Sequence, residues 1–288
     1  MSVDNSTMAG GEEYSTAVSK KIPALKLDGV SVTFRAQDGS LVDAVKNVDL
    51  TVADGEFISI VGPSGCGKTT LLKMCANLQL PTAGSIIYRG QVGAIEPGEF
   101  GMVLQSPALF PWKTIAQNIA MPERILNSKK KRSEEDIRTR VEELLDLMQL
   151  PPVAERYPWE LSGGMQQRVS IARALFLDPP LVLMDEPFGA LDALTREELN
   201  MHFERVQMTE RKTVLFVTHS ISEAVILSDR IVVMSATPGR IMKVVENKLP
   251  RPRDEHVLAS SEFTEMAAII RDLLNSTKVQ KGKQNVLS

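Results

Sequence analysis

The chain is poor in cysteine. Only two, Cys66 and Cys75, occur in 288 residues, too few for a disulfide framework, and Cys66 lies inside a glycine-rich loop; both points suit a reducing compartment. No stretch approaches the roughly 18 consecutive apolar residues of a membrane span, and the first residues lack the basic-then-apolar layout of a secretory signal. Neither sign of charge dominates. The formal net charge is −3, which gives no reason to expect nucleic acid as a bulk electrostatic partner. There is no internal repeat. What remains is the composition of a globular protein, 43% hydrophobic and 24% charged, with length for one large domain or two modest ones. The expected location is the cytoplasm, with any membrane role served by docking to another protein.

Along the chain, residues 1–22 are rich in Ser, Thr, Gly and charge, the texture of a mobile tail. From Leu25 the pattern changes: Leu25–Leu27, Val30–Phe34 and Val48–Val52 alternate apolar and polar residues, as half-buried antiparallel strands do, with a turn at Asp38-Gly39. Gly84–Tyr88 and Gly101–Gln105 read as a further strand pair bracketing a loop with Pro97 and Gly98. Residues 106–150 read as mostly helical, with Ser133 capping an acidic first turn before Val141, Leu144, Leu145 and Met148. The basic cluster Lys129–Arg132 before that cap reads as a solvated loop. Leu181–Met184 and Thr213–Thr218 are continuous apolar runs, the mark of strands covered on both faces. Arg230–Met234 and Arg240–Val245 read as edge strands around Pro238-Gly239, and Ser261–Leu274 as a short amphipathic helix before a polar end. The architecture expected is α/β, with a mostly parallel core sheet, an antiparallel β subdomain in front and a helical insertion over about residues 106–165.

The decisive segment follows the apolar run Phe57–Val61. Gly62, Pro63, Ser64, Gly65, Cys66, Gly67, Lys68, Thr69 and Thr70 match G-x-x-x-x-G-K-[ST], and a strand feeding a glycine-rich turn that opens a helix is the context this motif requires. The glycines let successive backbone N–H groups point inward as an anion nest, and the helix beginning near Lys68 adds the positive end of its dipole. Lys68 would reach the β- and γ-phosphates of a nucleotide, and the Thr69 hydroxyl would ligate Mg²⁺.

Two further segments complete the chemistry. Leu181–Met184 delivers Asp185 and Glu186 to the carboxyl edge of a parallel sheet, where ligands bind. Asp185 would hold the Mg²⁺ shell opposite Thr69, while Glu186 would orient or deprotonate an attacking water. Ser162, Gly163 and Gly164 open a second glycine-flanked helix, again an anion seat. With one lysine between two such starts, the economical reading is that they serve different ends of a nucleotide at a shared interface.

Leu161-Ser-Gly-Gly-Met-Gln-Gln-Arg168, placed between the phosphate loop and Asp185-Glu186, resembles the signature of ATP-binding-cassette (ABC) ATPases, and the likeness extends from about Leu25 to Val245. The resemblance implies a P-loop NTPase of ABC type: an ATPase domain over residues 23–250, then a C-terminal helix and polar tail over 251–288. It implies ATP and Mg²⁺ as ligands. Phe34 would stack on adenine, although Tyr is commoner there. Gln105 would touch the metal or the attacking water and sense a membrane partner. Asp192 would couple two sites, and His219 would contact the γ-phosphate. Two copies would lie head to tail, each ATP held by Lys68 of one chain and by Ser162, Gly163, Gly164 and Gln166 of the other. Catalysis would then fall to Glu186, His219, Gln105 and Lys68, and the metal to Thr69, Gln105 and Asp185. His202 and His256 match nothing and read as surface residues.

Fold does not settle the task. Only 94 residues lie between Gly67 and Ser162, too few for the long coiled coil of repair ATPases, and a single phosphate loop argues against the two-cassette translation factors. A separate cassette docking on separate membrane proteins is the usual layout of bacterial importers. Leu109, Phe110 and Trp112, after Gln105, offer an apolar seat for a short helix of a partner, or else ordinary packing of the insertion. Ala108–Asn118, Ser235–Ile241 and Leu249–Arg253 resemble the nitrate, sulfonate and taurine importer group. The expected partners are therefore a transmembrane permease subunit, a second copy of the chain and, through the permease, a periplasmic or lipid-anchored solute-binding protein. The expected place is the cytoplasmic face of the inner membrane. The alternative is a soluble regulatory or assembly ATPase that uses the same dimer switch without transport.

Overall fold

Uninterrupted apolar runs in the central strands, whose side chains alternate across the pleat, decide how the layers stack. In the computed structural model, which describes residues 22–93, 95–126, 132–189 and 191–284, β1 (Leu25–Arg35), β2 (Leu41–Val52), β4 (Ala83–Tyr88) and β5 (Gln91–Val92) form an antiparallel sheet in the order β2-β1-β4-β5. A six-stranded sheet takes β3 (Phe57–Val61), β6 (Phe100–Val103), β7 (Leu181–Asp185), β8 (Thr213–Val217), β9 (Arg230–Met234) and β10 (Ile241–Glu246) in the order β10-β9-β3-β8-β7-β6. All its pairings are parallel except β10 with β9. Every residue of β3, β7 and β8 is buried. Successive side chains enter two different cores, as a pleated strand covered on both faces requires. Ile58, Ile60, Leu183 and Leu215 pack with the antiparallel sheet and α1 (Lys68–Cys75). Phe57, Val61, Met184 and Phe216 pack with the helices on the other face.

Those helices are α2 (Ile115–Ile119), α3 (Met121–Ile125), α4 (Glu134–Leu147), α5 (Gly163–Leu175), α6 (Ala193–Glu210), α7 (Ile221–Leu227), α8 (Glu255–Leu258) and α9 (Ser261–Gln284). The Ser133 cap forms as expected: its hydroxyl accepts from the Asp136 N–H while the Asp136 carboxylate accepts from the Ser133 N–H. Among the described residues no helix is long and apolar enough to cross a membrane. The tail expected over residues 1–22, apart from Ile22, and the basic residues Lys129–Lys131 lie outside the described residues.

Four expectations are corrected. Gly84–Tyr88 and Gly101–Gln105 are not a pair: β4 joins the antiparallel sheet beside β1, whereas β6 lies parallel to β7 at the edge of the other. Each is seated by a close backbone approach that only glycine permits. A Cβ on Gly84 would lie 2.4 Å from the Gly29 carbonyl oxygen, and one on Gly101 would lie 2.2 Å from that of Ala174. β9 is not an edge strand; it runs between β10 and β3, and its Ile231–Met234 stretch is buried because it is uninterruptedly apolar. Residues 106–114 are not helical. The fully buried Asn118 holds them instead, accepting from the Phe110 N–H and donating to the carbonyls of Phe110, Lys113 and Thr114. The helix from Ser261 continues past Leu274 to Gln284, with Phe263 and Ile270 packing its first half on the core.

Candidate functional site

The phosphate loop spans the gap between β3 and α1, and two neighbours press on its back. Gly67 has φ of 93°, and a Cβ there would stand 2.6 Å from a methyl of Val45 on β2; both facts demand glycine. Gly239 lies against the loop so closely that a Cβ would fall 1.9 Å from the Cys66 carbonyl oxygen. The Gly239 N–H donates to the Ala44 carbonyl at 2.9 Å, and the Thr237 hydroxyl donates to the Gly65 carbonyl at 3.1 Å. The turn around Pro238-Gly239 is therefore a buttress of the phosphate loop. Lys68, 7% exposed, curls over the loop and donates to the carbonyls of Gly62 at 2.9 Å and Pro63 at 3.1 Å. Burial pushes both thiols up, that of Cys75 to about 12, so neither is a nucleophile at neutral pH.

Sheet order then gathers the polar residues. β3, β8, β7 and β6 are adjacent and parallel, so the residues leaving their carboxyl ends arrive at one edge: Lys68 after β3, His219 after β8, Asp185 and Glu186 at β7, and Gln105 after β6. The Thr69 hydroxyl donates to Asp185 Oδ1 at 3.0 Å. Desolvation raises the Asp185 carboxyl above the usual range, with Glu186 adding to the rise while Thr69, Lys68 and Lys73 oppose it. Glu186 has φ of 46°, a left-handed turn that costs about 1–3 kcal/mol in a non-glycine residue. Its N–H is held by the Val217 carbonyl at 2.9 Å. Glu186 Oε2 accepts from Gln105 Nε2 at 3.3 Å and meets His219 Nδ1 at 3.2 Å.

The second set stands apart. Ser162 caps α5, its hydroxyl accepting from the Met165 N–H. Gly163 opens onto free space, and a Cβ on Gly164 would lie 2.9 Å from Leu191. The Gln166 amide donates to the carbonyls of Pro158 and Leu161. Asp192 caps α6, and the Thr195 N–H and hydroxyl that it accepts hold its carboxyl below the usual range. Phe34 is 43% exposed on β1. Among the described residues, no hydrogen bond joins Ser162, Gly163, Gly164, Gln166, Asp192 or Phe34 to the loop Gly62–Thr70.

Several residues that support this edge were assigned no role from the sequence, although Gln167 lies within the octamer Leu161–Arg168. Gln167 on α5 is fully buried and donates to the Leu104 carbonyl at 3.0 Å. Arg173, two turns on, donates to the carbonyls of Pro107 and Ala108, each at 2.9 Å. Helix α5 thus grips the chain on both sides of Gln105. Arg196 and Glu223 lie behind Asp192 and His219, 3.7 Å apart. His202 is half-buried, not a surface residue; desolvation and Arg205 hold its pKa down. His256 is exposed as expected.

Comparison with known proteins gives concordant results. The sequence profile described as "ABC transporter" matches residues 45–189. The chain is 43% identical to the aliphatic sulfonates import ATP-binding protein SsuB of Bacillus cereus, over 84% of this chain and 92% of that protein. It is 42% identical to the nitrate import ATP-binding protein NrtC of Synechococcus elongatus, over 89% of this chain but 38% of that longer protein. Among solved structures, the dimeric ATP-binding cassette MJ0796 in a post-hydrolysis state bound to ADP and Pi is 33% identical. It superposes with a TM-score of 0.71, covering 78% of this chain and all of that one.

Proposed function

The chain belongs to the ABC transporter family of ATP-hydrolysing subunits, and we propose that it is the motor of a bacterial importer for a small oxyanion-like solute. Nitrate, sulfonate, taurine and bicarbonate are the types envisaged. The observation that carries the hydrolytic assignment is the convergence of Gln105 and His219 on one carboxylate oxygen of Glu186, beside the Thr69–Asp185 pair.

In this reading Gly62, Pro63, Ser64, Gly65, Cys66, Gly67 and Thr70 cradle the phosphates of ATP and Lys68 neutralises the β- and γ-oxygens. Glu186 accepts the proton of a water that attacks the γ-phosphorus; the bond to the bridging oxygen breaks and leaves ADP and inorganic phosphate. Gln105 and His219 fix the Glu186 carboxylate, and His219 also faces the γ-phosphate. The Thr69 hydroxyl and the Asp185 carboxylate, hard oxygen donors 3.0 Å apart, fit Mg²⁺, with Gln105 as a further ligand. Bound there, the ion would neutralise charge building on the transferred group.

The second copy supplies Ser162, Gly163, Gly164, Gln166 and Asp192, and Phe34 stacks on the adenine. The free space in front of Gly163 supports this division, as does the dimeric state of the solved cassette. The ATPase unit is taken as residues 23–250, with 251–288 an appended helix and tail. A transmembrane permease subunit docks near Trp112, 70% exposed with its ring 5.5 Å from that of Phe110; Leu109 packs inward on the core instead. Through the permease the motor serves a periplasmic or lipid-anchored solute-binding protein, from the cytoplasmic face of the inner membrane, without a nucleic-acid partner.

An affinity pull-down from detergent-solubilised membranes of the source cells tests the assignment. A stoichiometric polytopic partner is expected, and its binding protein should take up oxyanions. Only soluble partners for an active ATPase would return the case to a non-transport switch. A binding protein selective for quaternary ammonium ions would overturn the solute class.

A further inference from the structure

His219 is anchored through its neighbours rather than through its own backbone. The Thr218 hydroxyl donates to Glu223 Oε2 and accepts from the Ser220 N–H at 3.0 Å, so the residues on both sides of His219 belong to one network. The other Glu223 oxygen faces Arg196 Nε at 3.7 Å. Arg196 is on a different element, α6, and its Nη2 donates to the Leu191 carbonyl at 2.9 Å, immediately before Asp192. A continuous polar path therefore joins the Asp192 loop to the histidine loop.

Helix stability does not explain this path. Ser220 already caps α7 by accepting the Glu223 N–H, so the Glu223 side chain is surplus to the cap. Its carboxylate is only 5% exposed against 30% for the Arg196 side chain, and desolvation raises it above the usual range. Taking such a charge out of water is unfavourable unless it is paired, and buried pairs are better attested as devices that fix register than as sources of stability. Arg196 Nε is buried and makes no hydrogen bond; at 3.7 Å the contact with Glu223 is an ion pair that a small shift of the Asp192 loop would tighten or break.

We propose that Arg196 and Glu223 are positioning residues that tie the Asp192 loop to His219, so that the loop facing the second copy sets where the switch histidine stands. The proposal rests on the two-copy reading given above. In that reading Asp192 approaches the partner's site while His219 serves its own. The ion pair is then the link by which closure of the dimer reaches the hydrolytic carboxylate, through Thr218, His219 and Glu186.

The test uses the full chain with Glu223→Gln, Arg196→Gln, Arg196→Lys and the Glu223→Gln/Arg196→Gln double variant, in steady-state ATP hydrolysis. ATP-driven dimerisation is followed by size-exclusion chromatography with Glu186→Gln added to each chain, so that the nucleotide is not cleaved. Each Gln variant should lose about ten-fold in kcat with KM for ATP moving less than about two-fold. The double variant should be no slower than either single one, since both break one link. Arg196→Lys should recover most of the rate. Losses that multiply in the double variant, or a lowered melting temperature with kcat unchanged, would overturn the link. If the Glu186→Gln chain, which cannot cleave the nucleotide, fails to dimerise with ATP, the two-copy reading falls and takes the link with it. Intact dimerisation with multiplying losses removes the link alone.

Discussion

Replacing Glu186 by glutamine isolates the chemical role of one oxygen. The carboxylate accepts from Gln105 at 3.3 Å and meets His219 at 3.2 Å, both at Oε2. A glutamine with its carbonyl oxygen in that place keeps both contacts and the volume. The left-handed backbone at this position and the hydrogen bond from its N–H to Val217 do not depend on the side chain. The fold and ATP binding should therefore persist, while a base able to take a proton from water is lost. Removal of a general base typically costs about 10²–10⁴ in rate, or roughly 3–5 kcal/mol in the barrier at about 1.4 kcal/mol per factor of ten. In the proposed two-copy arrangement the γ-phosphate that bridges the copies is no longer cleaved, so the variant should accumulate as an ATP-bound dimer. Single-turnover hydrolysis, equilibrium ATP binding and size-exclusion chromatography at saturating ATP check the three parts. A rate within about three-fold of the unmodified chain would refute the role of Glu186 as the base. A variant that binds ATP but stays monomeric would refute the sandwich.

Other outcomes follow from the same geometry. Lys68→Ala removes the cation that folds over the loop and should abolish most ATP affinity in calorimetry; unchanged binding would refute the phosphate-loop assignment. Ser162→Arg places a long cation at the start of α5, so it should block hydrolysis while leaving ATP binding by the monomer intact, and a fully active variant would refute the shared site. Asp185→Asn removes a carboxylate raised chiefly by desolvation. A raised carboxyl is a penalty on the folded state, absent at pH below the usual carboxylate range and fully present once pH exceeds the raised value. The variant should thus melt higher at pH 7 without nucleotide while losing Mg²⁺-dependent hydrolysis; a lower melting temperature would mean that the Thr69 hydrogen bond outweighs the desolvation.

Legibility in the sequence followed the range of the interaction. Each local structure that was read correctly is contiguous: the strand, turn and helix start around Gly62–Thr70, the Ser133 cap with Asp136 three residues on, the apolar runs of β7 and β8. Those that failed share a cause. Gly84–Tyr88 and Gly101–Val103 carry similar strand composition, and only their contacts with Gly29 and Ala174 send them to different sheets. Residues 106–114 look helical by composition, but the single buried amide of Asn118 gives their backbone other partners.

By itself, then, the sequence determined the character of each segment: a glycine-rich loop between a strand and a helix, a strand that ends in two carboxylates, a second glycine-flanked helix start. Backbone torsion, capping and period depend on near neighbours, so they are written locally. Only the tertiary structure decided which segments meet. The order β3-β8-β7-β6 brings Lys68, His219, Glu186 and Gln105 to one edge, Gly239 closes the back of the phosphate loop, and Arg196 reaches Glu223 from another helix. Those contacts depend on strand partners chosen by the packing of two cores at once, across separations that no local pattern encodes.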